Sequence, residues 1–335
     1  MTTPEDNGFF PGGLLRNGHV QSVLASLKPR RPLVRRRARA LLAAAEDHVL
    51  DCGGGARLQG WFSGHGDGPR DLAILFHGWE GSADSLYLLS AAGALFSRGF
   101  DVFRLNFRDH GPTHHLNAGL FHACRIDEAV GALAAIQDRF PRPRTVLAGF
   151  SLGGNFALRA SVRAPAAGIR LLAAAAVCPV LDPVHTMHVL ETGWPPYHHY
   201  FMKKWRRSLR EKRRLFPHLR DLADLSRFRT LREMTDFFAP RYTGFPSGDA
   251  YLRGYAVTGD RLANLDPPSL MLLSADDPVI PVDDLRRIAR PAALTVETTR
   301  YGGHCGFLAD WRLRSWAEDR MIRFFRDHGA EPSPD

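Results

Sequence analysis

Short apolar runs separated by helical stretches fill the chain from residue 47 onward, and no other feature restricts its fold as much. The runs cover 71–76, 101–107, 144–148, 171–177, 269–274 and 293–297. They are continuous rather than alternating, which marks strands covered on both faces. Between them, 85–98 is rich in Leu and Ala and stops at Gly99, a good helix terminator. Residues 126–140 repeat apolar positions at helical spacing and stop before Pro141, and 283–290 and 311–328 also read as helical. Such alternation predicts the α/β class, a mostly parallel sheet with helices on both faces. Segments 48–52 and 58–62, with Gly53-Gly54-Gly55 between them, read as a hairpin.

The alternation divides the chain. Residues 1–46 form an arm outside the sheet, and 47–182 form the first part of the core. Residues 183–266 are aromatic, basic and dotted with proline, and too long for a loop. They read as a helical insertion over one end of the sheet, a lid. The core resumes over 267–330, and 331–335 reads as a disordered tail.

Apolar residues make up 44% of the 335, enough for a large core and against extensive disorder. No stretch offers the roughly 20 apolar residues of a membrane span. The N-terminus lacks the basic-then-apolar pattern of a secretory leader. Four scattered cysteines (Cys52, Cys124, Cys178, Cys305) suit a reducing compartment, so the expected location is cytoplasmic. The net charge of +9 is concentrated in 30–39 and 203–214. Attraction to phosphate and plain solvation of an arginine-rich surface are both open readings of these clusters. No nucleic-acid module is present, so nucleic acid is not an expected partner. His114-His115 and His198-His199 lack an ordered set of Cys or carboxylate partners, so neither a metal nor another cofactor is expected.

Chemistry enters with Gly149-Phe150-Ser151-Leu152-Gly153, which follows a strand and precedes a helical stretch. A serine on such a strained turn pushes its hydroxyl out of the sheet edge. Glycines at 149, 153 and 154 remove side-chain atoms that would strike the neighbouring strand or helix. Ser151 is therefore the candidate nucleophile. A serine hydroxyl needs a base to take its proton, and a carboxylate to orient that base. One later strand ends in Ala275-Asp276-Asp277-Pro278, another in Gly302-Gly303-His304-Cys305-Gly306. The order Ser, acid, His at strand C-termini fits this chemistry. Asp277, directly before Pro278, is the expected acid, His304 the base, and Asp276 a loop-fixing side chain. The backbone N–H groups of Leu152 and Trp79 are the expected oxyanion donors. His77, Trp194 and Phe238 are expected in the substrate pocket.

These motifs resemble the YheT-like α/β-hydrolases, a group that includes plant embryo-abundant proteins and the ABHD lipid hydrolases. The resemblance runs over about residues 10–325. Asn17-Gly18-His19-Val20-Gln21 looks like the family's N-terminal N-x-H-x-Q element, and Asn106-Phe107-Arg108 falls at its H-F-R-G turn. The segment from Gly149 to Asn155 matches its nucleophile elbow, and Tyr242-Thr243-Gly244-Phe245 the end of its lid. The chain departs from the pattern at Asp109-His110-Gly111-Pro112 and at Trp79-Glu80. The resemblance implies an α/β-hydrolase fold and a serine esterase acting on short- to medium-chain acyl esters or acylglycerol-type lipids. An acyltransferase using the same three residues, or a binding protein on this scaffold, are the rivals. The lid sequence around Phe201, Trp205 and Leu209 makes one apolar stripe flanked by basic residues. It fits a helix in an anionic lipid headgroup layer, or a helix whose stripe packs on the sheet. Oligomeric state has no signature in the sequence.

Overall fold

Eight strands hydrogen-bond into one sheet in a computed structural model that describes residues 8–330. They are β1 (Ala45–Asp51), β2 (Arg57–Ser63), β3 (Leu72–Phe76), β4 (Asp101–Asn106), β5 (Thr145–Phe150), β6 (Ala173–Val177), β7 (Ser269–Ser274) and β8 (Leu294–Thr299). Their spatial order is β1-β2-β4-β3-β5-β6-β7-β8. β1 and β2 form the hairpin, β2 runs antiparallel to β4, and all other pairings are parallel. β3, β5 and β6 are buried along their whole length, which is why their sequences are continuously apolar.

The helices are α1 (Gly18–Ser26), α2 (Arg31–Arg37), α3 (Arg39–Ala43), α4 (Leu86–Phe96), α5 (Ile126–Arg139), α6 (Leu152–Arg163), α7 (Pro183–Thr192), α8 (Pro195–Leu215), α9 (Leu231–Tyr242), α10 (Gly248–Gly254) and α11 (Trp316–Asp327). Two apolar cores sandwich the sheet. α2, α3, α4 and α11 cover one face; α5, α6 and the insertion α7–α10 pack on the other. No helix of the described residues is long and apolar enough to cross a membrane.

Three expectations need adjustment. Residues 45 and 46, expected in the N-terminal arm, belong to β1, and the described remainder of the arm, 8–44, lies outside the sheet as a packed layer. Phe9 stacks on Trp316 with ring centroids 5.2 Å apart, and the buried Arg30 donates to the Ala25 and Leu313 carbonyls. The stretch expected as helix over 311–328 begins its helix only at Trp316, because Leu308 and Ser315 pair as an isolated bridge first. The segment 283–290 forms a 3₁₀ turn, Val282–Arg287, rather than an α-helix. The tail 331–335 lies outside the described residues.

α8 resolves the two readings of the lid stripe in favour of packing. Trp205 and Leu209 are buried, and Phe201 packs against the same core. Part of the basic cluster turns inward too. Lys212 is fully buried and pairs with Asp109 at 2.7 Å, and Lys204 donates to the Glu80 carbonyl at 2.9 Å.

Candidate active site

Ser151 sits between the last residue of β5 and the first turn of α6 with φ 54° and ψ −120°. A non-glycine residue there carries local strain of order 1–3 kcal/mol, held by its surroundings. The Ser151 N–H donates to the Val177 carbonyl at 2.9 Å, so the β5–β6 ladder runs into the turn itself. A Cβ on Gly149 would lie 2.1 Å from the Gly153 carbonyl oxygen. One on Gly153 would lie 2.4 Å from both the Phe76 and His77 carbonyls. The close approach of α6 to β5 demands glycine at 149, and its approach to the end of β3 demands it at 153. At Gly154 the nearest atoms, the Gly149 carbonyl oxygen and Pro179 Cβ, are both 3.2 Å away, a looser fit than the sequence implied. The N-terminus of α6 faces the hydroxyl and favours negative charge.

Ser151 Oγ lies 2.9 Å from His304 Nε2, and His304 Nδ1 lies 2.9 Å from Asp277 Oδ2. A carboxylate can only accept, so Nδ1 carries the proton and Nε2 is left to accept from the serine hydroxyl. Asp277 Oδ1 accepts the N–H groups of Val279 and Ile280 at 2.8 and 3.0 Å, which fixes the carboxylate. Burial works against a charge on the His304 ring, but the adjacent Asp277 carboxylate and its hydrogen bond outweigh it. The imidazolium is held above its ordinary range. Asp276 turns away: its Oδ1 accepts the Gly303 N–H at 2.8 Å and braces the histidine loop.

That loop is also held by the N-terminal arm. Asn17 caps α1 through the His19 and Val20 N–H groups. One turn on, Ser22 Oγ accepts the His304 N–H at 2.8 Å while donating to the Gly18 carbonyl. The buried Gln21 amide accepts from Leu308 N and donates to the Leu308 and Leu15 carbonyls. A Cβ on Gly18 would lie 2.1 Å from the Asp276 carbonyl oxygen, and one on Gly303 2.2 Å from that of Gly18, so arm and loop touch backbone to backbone. The N-x-H-x-Q element was visible in the sequence; its task of setting the histidine loop was not.

The loop after β3 carries Trp79. Here His77 corrects an expectation, for it is fully buried and does not line the cavity. Its Nε2 accepts the Phe107 N–H at 3.1 Å, so its Nδ1 donates to the Gly78 carbonyl at 2.7 Å. Burial pushes this ring down to about 4, and it stays neutral. His110, unremarked in the sequence beyond its departure from the family pattern, repeats the device. Its Nε2 accepts the Glu80 N–H at 3.1 Å and its Nδ1 donates to the Arg108 carbonyl. Glu80 itself has φ 54°, and burial lifts its carboxyl to about 8. The Trp79 and Leu152 N–H groups are engaged by no other group of the described residues.

Ser151 and His304 open into a cavity of about 1520 Å³. Trp194 lies on its rim, 46% exposed, against the rings of His19 and Tyr197. Phe238 does not reach it: this side chain is buried under the lid, edge-on to Trp205, where α9 packs on α8. Exposed Val23, Leu27 and Tyr200 share the rim with five exposed cations, Lys28, Arg31, Arg207, Arg210 and Arg214. Among the described residues, Cys178, His304 and Cys305 form the group of metal-capable side chains whose ligand atoms lie within 4.8 Å of one another. Both His304 nitrogens are already hydrogen-bonded, and burial keeps the Cys178 thiol protonated.

The sequence profile of the family described as alpha/beta hydrolase fold matches residues 73–310. The chain is 26% identical to "Putative esterase YheT" of Escherichia coli (strain K12) over 257 residues, 74% of each protein. It is 23% identical to "Phospholipase ABHD3" of Homo sapiens over 280 residues, 79% of this chain and 66% of that protein. Among solved structures, the Pyrococcus furiosus esterase Pf2001 superposes with a TM-score of 0.56 at 13% identity, covering 84% of this chain and 92% of that one. A membrane phospholipase A described as a bacterial virulence factor superposes with a TM-score of 0.56 at 18% identity, covering 92% and 95%. With the matched profile spanning well over half of its residues, the chain belongs to the α/β-hydrolase fold family.

Proposed function

We propose that the protein hydrolyses carboxylic esters through an acyl-enzyme on Ser151. The observation that carries this reading is the unbroken chain from Ser151 Oγ through His304 to Asp277 at the floor of a large cavity. His304 Nε2 takes the hydroxyl proton as Ser151 Oγ attacks the acyl carbon. The N–H groups of Trp79 and Leu152 receive the oxyanion. His304 then returns the proton to the leaving alkoxide, and the same base activates the water that frees the acid.

The substrate is an ester with a long or branched body, of the acylglycerol or phospholipid type. The cavity volume exceeds the upper end of the usual range for small-molecule sites, about 1,000 Å³. The names of the esterase and phospholipase relatives support the same class. The rim brings such substrates in. Val23, Leu27, Trp194 and Tyr200 offer apolar contact, and Lys28, Arg31, Arg207 and Arg210 face an anionic lipid surface. These residues support weak peripheral membrane contact at the cavity mouth rather than on the buried stripe of α8. A fluorophosphonate probe, with p-nitrophenyl esters of increasing chain length and monoacylglycerols, tests the reading. Labelling and turnover in wild type, both lost in Ser151→Ala, are expected; labelling that persists in Ser151→Ala refutes it.

A further inference from the structure

One lysine of the lid reaches the peptide framework beneath the oxyanion donors. Lys204 Nζ, on α8, donates to the Glu80 carbonyl at 2.9 Å. That carbonyl belongs to the same peptide as the Gly81 N–H, which donates to the Gly78 carbonyl at 3.0 Å. The Gly78 carbonyl in turn belongs to the same peptide as the Trp79 N–H. A positive charge therefore sits at the head of two peptides linked in series, and the donor at their far end, the Trp79 N–H, is engaged by no other group of the described residues. Each link polarises the next, an effect that the half-buried setting of the loop screens less than bulk water would. The same helix grips the loop sideways. Phe201 stacks on the Trp79 ring at 5.1 Å and 9°, and Trp205 meets it edge-on at 5.4 Å.

We propose that Lys204 is a positioning residue for the oxyanion loop, so that docking of α8 and formation of the oxyanion-binding N–H pair are a single event. Lys204 touches no reacting atom; it acts through Glu80, Gly81 and Gly78 on the Trp79 N–H. The strained φ of Glu80 gives the loop a reason to relax when that grip is lost, since His110 holds the Glu80 N–H but nothing else among the described residues holds its carbonyl. A lysine used merely for surface charge would lie in water like its neighbour Lys203, which is exposed.

The inference rests on the Ser151 reading and deepens it. Its test compares Lys204→Met, Lys204→Arg and Lys203→Met with wild type. The readouts are kcat and KM on a p-nitrophenyl ester, thermal unfolding, and affinity for an alkyl boronic acid that mimics the tetrahedral state. Lys204→Met is expected to lower kcat about 10- to 100-fold, less than the deletion of an oxyanion donor, with KM changed under ~3-fold. Boronate affinity falls in parallel with kcat/KM. Lys204→Arg, which keeps the charge and a donor, restores most of both, and Lys203→Met matches wild type. Unchanged kcat in Lys204→Met, a rise in KM alone, or a fall in kcat with boronate affinity intact each overturns the inference while Ser151 chemistry stands. If Lys204→Met does not fold, Lys204→Gln gives the same comparison with the charge removed and a shorter donor retained. A wild type that neither turns over esters nor reacts with a fluorophosphonate overturns the Ser151 reading and this inference with it.

Discussion

Ser151 and the Trp79 loop meet across one cavity, yet they are held in opposite ways. The serine is held by its own neighbourhood: the β5–β6 ladder, two glycines and the first turn of α6 leave the backbone one conformation. Asp277 is similar, fixed by N–H groups two and three residues on. The Trp79 loop depends on distant groups: a buried imidazole at 110 and a lysine at 204. The histidine loop is held likewise, by Ser22 and Gln21 from the other end of the chain. The reacting groups are locally determined, and their alignment is not. Damage to the first kind should remove chemistry without touching the fold; damage to the second should move stability and alignment together.

The largest effect is expected in the locally held half. Ser151→Ala should lose on the order of 10⁴-fold or more in kcat with an unchanged melting temperature; a comparable fall in stability would break the distinction. Asp277→Asn should cost about 10⁴-fold. Asp276→Asn should cost less than about 10-fold, because the amide oxygen it introduces still accepts the Gly303 N–H. The pH profile adds a sign. His304 must be neutral to act as base, so kcat/KM rises as pH passes upward through its pKa. The Asp277 carboxylate lifts that pKa above 6.5, so the wild-type acid limb lies above pH 6.5. Removing the carboxylate leaves burial in charge, and the limb of Asp277→Asn should move to lower pH.

The distantly held half should respond differently. Lys212→Met leaves Asp109 buried without its partner at the junction of lid and core. Denaturant titration should show a loss of about 3–5 kcal/mol, with kcat falling as the junction loosens. Ser22→Ala removes one acceptor from the histidine loop. Its kcat should drop ~10-fold with a stability change near ~1 kcal/mol, and an unaltered kcat would show that the loop needs no brace. The smallest effect belongs to the rim. Arg207→Gln should weaken flotation with anionic vesicles about 5-fold at low salt, the equivalent of ~1 kcal/mol, and leave neutral vesicles unaffected.

The same division decides how much could be read from the sequence. The strands, the elbow and the acid loop announce themselves within windows of five to ten residues, because period, glycine and proline act on adjacent backbone. Asp277 separates from Asp276 by its place before Pro278. His77 misleads because its position beside the oxyanion loop is as legible as its burial is not; only the fold shows Phe107 above it. Phe238 misleads because an aromatic on a lid helix suits a pocket wall and a helix interface equally well. α8 carries basic residues around much of its circumference, so composition alone cannot tell that Lys204 and Lys212 point inward while Lys203 and Arg207 point out. Partners such as Ser22 and His304 are 282 positions apart, and no local pattern links them.

The stitching of Gln21 and Ser22 to residues 304–308 also sets a schedule. A chain growing from its N-terminus presents the arm, the elbow and the lid long before the segment that those two side chains hold. Until that segment leaves the ribosome, Ser151 lacks its hydrogen-bond partner His304. On the proposed Ser151 chemistry, the site would be complete only after one late docking step, when the loop that follows β8 packs against the first helix.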